Sequence, residues 1–215
     1  TSQAGIFAST DTPQALRVEF DDALIVDASI SSPTLDNLRI TEIMYHPVGG
    51  SFYEFIEIQN TGTTPLALDG ASFDDTQPFG SFTFTNVTLA PGQYAVIVSA
   101  ESAFRARYGN NILIAGNWAS GSLSNSGENI ELRDPFGNTI HDFTYDDNAP
   151  WPLAADGSGP SLEVIDTGGD YNDPLNWKAS AFTGGSPGFS EATDLDGDGL
   201  SNICLLYTSP SPRDH

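Results

Sequence analysis

LRITEIMYHPVGGSFYEFIEIQNTG, residues 38–62, contains the pattern that decides the fold. Two runs rich in Ile, Phe and Tyr, residues 38–45 and 52–60, flank a His-Pro-Val-Gly-Gly-Ser turn. Such side chains suit a pleated, half-buried surface. Gly49 and Gly50 allow the positive φ angles that a tight reversal needs. The stretch therefore predicts a β-hairpin.

The same stretch carries the first candidates for chemistry, namely Glu42, His46, Glu54 and Glu57. Carboxylates and a histidine near one turn are a minimal set for acid–base work or metal binding. However, Glu57 alternates with apolar neighbours, which predicts an outward-facing position for it on the strand. We therefore do not expect catalysis at these residues.

Composition narrows the class of protein. The 215 residues include 29 acidic and 7 basic side chains, a formal net charge of -22. This charge repels phosphate backbones, so it argues against nucleic-acid binding, and it favours divalent cations.

No apolar run approaches 18 residues, so no membrane span is predicted. The single cysteine excludes an internal disulfide. Because the chain begins with Thr1, we expect it to be a fragment of a longer protein.

Further strand patterns follow the hairpin. Residues 82–84 alternate, residues 94–98 (YAVIV) are apolar on both faces, and residues 161–166 form one more short apolar run. Residues 128–145 read as a second hairpin around Asp-Pro-Phe-Gly-Asn. Short strands at this spacing, separated by turn signals, predict an all-β sandwich with long loops.

One short helix is predicted, at residues 99–108. Ser99 or Ser102 is the expected N-cap, and Phe104 and Tyr108 fall on one face. Residues 111–114 are predicted as a brief strand after it. Before the sandwich, residues 1–36 are read as an N-terminal extension or the end of a preceding domain, with a linker at residues 31–34 (Ser-Ser-Pro-Thr).

No catalytic residue is predicted. LSNSG at residues 123–127 lacks the G-x-S-x-G elbow, and GxGxxG, P-loop, HExxH and CxxC motifs are absent from the sequence. His141 alternates with polar neighbours and is expected to be structural. Trp118, Trp151 and Trp177 suit either a sugar-stacking platform or the packing of long loops, and we favour packing.

Several separated motifs carry a family resemblance. LRITEIMYHP, YEFIEIQNTG, FTFTNVTLAPGQYAVIV, LSNSGENIELRDPFGNTIHDFTY, SLEVID and NWKAS…GGSPG occur in this order. Residues 37–189 thereby resemble bacterial lamin-tail domains. The resemblance implies an immunoglobulin-like β-sandwich that is not an enzyme. It also implies a module of secreted or surface multidomain proteins, and residues such as Glu42 are expected to be structural.

A calcium-like motif follows in residues 190–203. DLDGDGLSN has the spacing of a calcium-binding loop, with carboxylates at positions 1, 3 and 5 and a glycine at position 6. The predicted Ca²⁺ ligands are Asp194, Asp196, Asp198, the carbonyl of Leu200 and Asn202. Leu205 stands where the loop needs a bidentate glutamate, so the site is incomplete. The motif is also similar to thrombospondin type-3-like repeats.

The last residues differ abruptly in composition. CLLYTSPSPRD, from Cys204 to Asp214, resembles the translation of a sequencing-library adapter. We therefore predict that residues 204–215 are not native and that the natural sequence continues differently after Ile203. An independent read of the locus that recovers CLLYTSPSPRD would contradict this.

Together these observations predict a non-catalytic structural or protein-interaction module of a secreted or cell-surface bacterial multidomain protein. Its expected partners are other domains of the same polypeptide, surface proteins or polysaccharide, with no nucleic acid and no membrane span. The alternatives are a carbohydrate-binding accessory module of a secreted hydrolase, which exposed tryptophans would favour, and an enzyme fragment, which needs a convergent acid–base or metal cluster.

Overall fold

The computed structural model describes residues 15–16, 28–29, 32–73, 82–118 and 120–191. These residues form short strands joined by turns and loops. The strands are β1 (Ala15–Leu16), β2 (Ala28–Ser29), β3 (Leu38–Met44), β4 (Phe55–Asn60), β5 (Leu66–Ala67), β6 (Ser72–Phe73), β7 (Phe82–Thr83), β8 (Thr88–Leu89), β9 (Tyr94–Val98), β10 (Ile114–Asn117), β11 (Glu128–Arg133), β12 (Thr139–Tyr145), β13 (Leu162–Val164) and β14 (Trp177–Ala179). The helices are α1 (Pro33–Asn37) and α2 (Glu101–Tyr108), with 3₁₀ turns at Ser51–Tyr53, Leu153–Ala155 and Pro174–Asn176.

Two sheets form the sandwich. The larger has the order β10-β9-β4-β3-β13-β14, and the smaller has the order β12-β11-β6-β7. Pairing is antiparallel in both except between β9 and β10. Ile40, Ile56 and Ile97 of the large sheet share one apolar core with Ile130 and Phe143 of the small one. The predicted all-β, immunoglobulin-like sandwich is confirmed, and the side of the large sheet that faces this core is its inner face.

The opening hairpin is confirmed as β3 and β4, the two central strands of the large sheet. Ile43 faces Ile56 across the pair, and Ile40 faces Ile58. Between these two pairs the register shifts, because β3 has one extra residue, Thr41. Such a β-bulge re-aims the neighbouring side chains, and here the bulge precedes Glu42.

The opposite, outer face of the large sheet is half covered by α2. Met44, Phe55, Val96 and Val98 project from the strands and pack with Phe104 of the helix in a second apolar cluster. The ring of Phe104 meets that of Phe55 edge-on at 5.6 Å. Strand β9 is therefore buried on both faces, as its sequence predicts.

Some predicted details are wrong. The helix begins after Ala100, which makes no side-chain cap, so neither Ser99 nor Ser102 is the N-cap. The brief strand expected at residues 111–114 lies three residues later, as β10. The predicted linker runs into α1, a five-residue helix that begins at Pro33, a residue with φ already suited to a first helical turn.

Strand β12 is an edge of the small sheet. Beside it, Asn172 accepts a hydrogen bond from the Thr144 amide at 3.2 Å and donates one to the Asp142 carbonyl at 3.1 Å. The side chain of Asn172 therefore occupies hydrogen-bonding positions that a neighbouring strand would otherwise use.

Candidate functional site

Three glutamates lie side by side on the outer face of the large sheet. Glu42 of β3 is directly opposite Glu57 of β4 on one side and Glu163 of β13 on the other. Their exposed fractions are 1%, 1% and 7%. Buried carboxyl groups are costly unless they are hydrogen-bonded or neutral, so this carboxylate cluster is the most chemically unusual part of the sandwich.

The outward-facing position predicted for Glu57 does not make it solvent-exposed, because its side chain is only 1% exposed. Alternation does place it away from the inner face, but that second face is not exposed. Residues 180–191 follow β14 as an irregular chain and cover this outer face. We call them the 180–191 segment. Period-two alternation identifies the two faces of a strand and cannot reveal what later covers each face.

Backbone amides of the 180–191 segment point at the cluster. Ser186 donates its amide to Glu42 Oε1 at 2.9 Å, and its hydroxyl donates to Glu163 Oε1. The Gly188 amide donates to Glu57 Oε2. The glutamates thus act as acceptors that fix a loop which has no strand of its own to pair with.

The sheet supplies further donors. Thr41, the extra residue of the bulge, donates its hydroxyl to Glu57 Oε1 at 2.7 Å. Ser161, just before β13, donates to Glu42 Oε1 at 2.5 Å. Glu42 Oε2, by contrast, is buried and accepts no hydrogen bond from the described residues. One oxygen of the central glutamate therefore has no donor in the described part of the chain.

Gly185 is required where it stands. Its φ angle of +82° lies in the left-handed region, and a Cβ added there would overlap Glu42 Oε1. The Gly-Gly-Ser-Pro-Gly sequence at residues 184–188 is therefore the sequence counterpart of the buried carboxylates.

One cation joins the cluster at its edge. Lys178 on β14 forms an ion pair with Glu163 at 2.6 Å and another with Glu191. Glu191 also accepts a hydrogen bond from the Ala181 amide. The ammonium group of Lys178 thus pairs with Glu163 and Glu191, and it does not reach Glu42 or Glu57.

The electrostatics follow from this imbalance. Burial raises the pKa of Glu42 well above its ordinary value, and the neighbouring Glu57 and Glu163 raise it further. Burial raises the pKa of Glu57 to about 8, although hydrogen bonds from Gly188 and Thr41 oppose the shift. Burial also raises the pKa of Glu163, against the opposing effect of Lys178. Near neutral pH Glu57 therefore retains its proton.

The cluster borders a cavity of about 240 Å³, which Gln59, Tyr94 and Asp166 also line. Within the described ranges, no group of three or more His, Cys, Asp or Glu side chains has an arrangement that could hold a metal ion. The geometry therefore supports proton binding and hydrogen bonding by the cluster.

A second, smaller carboxylate pair holds another loop. Glu54 Oε2 accepts the Leu123 amide at 2.9 Å, and Glu128 Oε1 accepts the Ser124 amide at 2.7 Å. Burial raises the pKa of Glu54 to about 7. The Tyr145 hydroxyl also lies 2.9 Å from Glu128 Oε1. These contacts agree with the structural role that was expected for Glu54.

The two histidines within the described residues are separated from the carboxylate cluster. His46 Nδ1 lies 2.6 Å from Asp156 Oδ1, at the border of a surface groove that Glu54 and Leu123 also line. His141 is buried, and its Nε2 accepts the Ile40 amide at 3.4 Å. Burial lowers the pKa of His141 to about 3, so it stays neutral. The grouping of His46 with Glu42 and Glu57 that the sequence suggested does not form.

All three tryptophans are buried. Their exposed fractions are 3% for Trp118, 7% for Trp151 and 3% for Trp177. The rings of Trp151 and Trp177 lie 5.7 Å apart, and Trp177 donates its indole N–H to the Tyr171 carbonyl at 2.9 Å. These contacts agree with the expected packing role and leave no exposed indole face among the three.

The predicted calcium ligands Asp194, Asp196, Asp198, Leu200 and Asn202 lie outside the described residues, as does the predicted non-native tail. Sequence reasoning missed Glu163, Ser186 and Lys178 as members of the cluster. Their signals are present in hindsight: a glutamate between apolar strand residues in SLEVID, and the only lysine of the chain. Nothing in the sequence shows that these positions meet Glu42.

Comparison with protein families gave one match. The model of the lamin tail domain matches residues 31–147, which is more than half of the chain. The match includes Glu42 and Glu57 and ends before β13, which carries Glu163. Comparisons with curated proteins and with solved structures gave no match. Within the described residues, no helix has the length and apolar character needed to cross a bilayer.

Proposed function

Because this chain belongs to the lamin tail domain family, we propose that it is a structural or protein-interaction module of a secreted or cell-surface bacterial multidomain protein. The observation that carries the proposal is the use of the carboxylates. Each glutamate that sequence reasoning could assign to chemistry accepts hydrogen bonds that fix a loop, as Glu54 does for Leu123 and Glu57 for Gly188. Such carboxylates stabilise a rigid body, and the proposed module is not an enzyme.

The test uses the full-length gene. Deleting residues 37–189 should leave the activity of any neighbouring domain unchanged in solution, and it should reduce the amount of the protein retained at the cell surface. Cell fractionation measures the second quantity. A deletion that abolishes catalysis by otherwise folded neighbouring domains would contradict the proposal, and so would unchanged surface retention.

The alternative, a carbohydrate-binding accessory module, is disfavoured by the buried tryptophans. Sugar-stacking platforms need exposed aromatic faces, whereas Trp118 and Trp177 are each 3% exposed. Titration with soluble polysaccharides should leave tryptophan fluorescence unchanged. A saturable change that is lost in a Trp151→Phe variant would favour the alternative instead.

We also propose that residues 190–203 begin a calcium-binding repeat whose last ligand is missing. The support is the spacing of Asp194, Asp196 and Asp198 and the leucine at position 205. A Leu205→Glu variant supplies a position-12 carboxylate. It should bind Ca²⁺ measurably tighter than the parent chain in calorimetry, by about tenfold or more, since ligand charge count sets affinity in such loops.

Leu206→Glu is the matched control, because it adds the same charge one residue away from the ligand position. Equal affinity of the two variants would mean that only net charge matters, and the proposed site would be wrong. Calcium binding to the Leu205→Glu variant that survives Asp196→Asn would also contradict it.

A further inference from the structure

The 180–191 segment is held on the sheet by hydrogen bonds more than by apolar packing. None of these described residues belongs to either apolar cluster. The amides of Ser186 and Gly188 bond to carboxyl oxygens of Glu42 and Glu57. Beyond the cluster, Gly184 accepts the Tyr108 hydroxyl at 2.7 Å and donates its amide to Gly159. Docking of this segment therefore depends on the state of the carboxyl groups.

Charged and titratable groups from several elements lie around the carboxylate cluster. The sheet contributes Glu57, Glu163, Lys178 and Tyr94. Helix α2 contributes Tyr108, the segment itself contributes Glu191, and the loop after β13 contributes Asp166. Arg107 of α2 interacts with Tyr108, and the cation in contact with the carboxyl groups is Lys178. It pairs with Glu163 and Glu191, so Glu42 and Glu57 have no cation of their own within this set.

We propose that the 180–191 segment is a pH-dependent latch, docked on the large sheet while Glu42 and Glu57 carry protons and detached when they ionise. This inference does not depend on which partner the module binds.

The physical reason is the free-energy cost of an ionised carboxylate that is buried away from water. A carboxylate buried without a cation needs water, and carboxylates directly opposite each other on neighbouring strands repel. Water can reach the cluster when the irregular segment lifts, whereas separating β3, β4 and β13 would break the sheet. Local opening of the 180–191 segment therefore requires the least free energy of the ways to hydrate the anions. Burial raises the pKa of Glu57 to about 8, which places the change in mildly alkaline solution.

Amide hydrogen exchange of the full chain tests the latch. Ser186 and Gly188 report on the segment, and Val96, whose amide bonds to the Leu113 carbonyl, reports on the sheet. After correction for intrinsic exchange, protection of the two segment amides should fall above about pH 8, by up to about tenfold per pH unit for each proton released. Protection of Val96 should fall much less over the same range, by no more than the loss of global stability.

Glu57→Gln is the deciding variant, because its amide can still accept a hydrogen bond but cannot ionise. Its segment amides should remain protected at pH 9. The matched control is Glu101→Gln, which removes a charge from the exposed side of α2 and should behave like the parent chain.

Three results would overturn the proposal. Protection of Ser186 and Gly188 that falls in parallel with Val96 means global unfolding. Equal pH dependence in Glu57→Gln and the parent chain means that Glu57 does not operate the latch. Loss of the pH dependence in Glu101→Gln means that overall charge is responsible. If Glu57→Gln does not fold, carboxyl-carbon NMR of the parent chain decides, since the Glu57 signal must titrate together with the amide protection.

Discussion

Two covers lie side by side on the outer face of the large sheet, and different forces hold them. Over one half, α2 packs Phe104 against Phe55 and its apolar neighbours. Over the other half, the 180–191 segment donates hydrogen bonds to buried glutamates. The two kinds of contact come from the same strands: Phe55 and Glu57 are two residues apart on β4, and both are buried.

The difference teaches what each kind of contact can do. Apolar burial is non-directional and independent of pH, so it suits a helix, whose backbone groups are satisfied internally. An irregular segment has unsatisfied amides that need acceptors when buried. Carboxyl groups provide those acceptors, but their protonation makes the second cover sensitive to pH. The apolar half therefore provides stability, and the carboxylate half provides a conditional contact.

The largest expected effect concerns the apolar half. Phe104→Ala should lower the free energy of unfolding by about 3–5 kcal/mol, because it removes a buried ring and leaves a cavity. Denaturant unfolding at pH 6.5 measures this. Phe52→Ala is the control, since that ring is 67% exposed. A loss of less than about 1 kcal/mol for Phe104→Ala would show that α2 is not held by this contact.

The next effect concerns the carboxylate half. Gly185→Ala should destabilise the protein by about 1–3 kcal/mol, since the added Cβ meets Glu42 and the backbone is left-handed. Gly92→Ala is the control: its φ is +73° and a Cβ there meets nothing within 4 Å. It carries the backbone strain without the clash. Equal losses in calorimetry would mean that the contact with Glu42 contributes nothing.

The third prediction distinguishes the apolar half from the carboxylate half by the pH dependence of stability. The cluster carboxyls have a higher pKa in the folded protein than their ordinary 4.5, so the folded state binds their protons more tightly. Their stabilising contribution is complete below about pH 4.5 and is lost as pH rises through the folded values, about 8 for Glu57. We therefore expect the free energy of unfolding to fall by about 1–2 kcal/mol between pH 6.5 and 8.5.

His141 works in the opposite direction but in another window. Burial lowers its pKa to about 3 from 6.5, so its stabilising contribution is present above 6.5 and is lost as pH falls below that value. The interval from pH 6.5 to 8.5 therefore reports on glutamates, namely those of the cluster together with Glu54, whose pKa burial raises to about 7. Denaturant unfolding of the parent chain and Glu57→Gln measures the slope. A stability that rises across this interval would contradict the assignment, and Phe104→Ala should leave the slope unchanged.

The smallest effect tests a charge outside both covers. Glu101 and Arg105 form an ion pair at 2.8 Å one turn apart on α2, with side chains 52% and 34% exposed. A double-mutant cycle through alanine should give a coupling of only about 0.3–0.5 kcal/mol, decreasing with added salt. A coupling above 1 kcal/mol would mean that exposed charge contributes as much as the buried cluster.

Local patterns were enough to predict the strands of both hairpins and the helix. β3 and β4, and β11 and β12, follow from alternation and turn residues. The cap was missed because packing of Phe104 overrides capping preference in so short a helix. The packing role that was favoured over sugar stacking for the tryptophans agrees with the burial of Trp118.

The carboxylate cluster could be predicted only in part. Glu42 and Glu57 are visible as strand glutamates, yet their burial depends on Gly185 and Ser186, which lie more than 120 residues further along the chain. Contacts at that separation are set by tertiary packing, which no periodicity in a single sequence records. The bulge at Thr41 is equally invisible, because one extra residue leaves the composition of the strand unchanged.

Asn172 affects how the protein behaves at high protein concentration. A strand at the edge of a sheet is a template on which another chain can add by backbone pairing, and this is a common route to aggregation. Here one amide side chain already bonds the Thr144 amide and the Asp142 carbonyl of β12. A neighbouring copy that approached this edge would have to displace it first. Many sandwiches can therefore be crowded together without joining into a continuous sheet along β12.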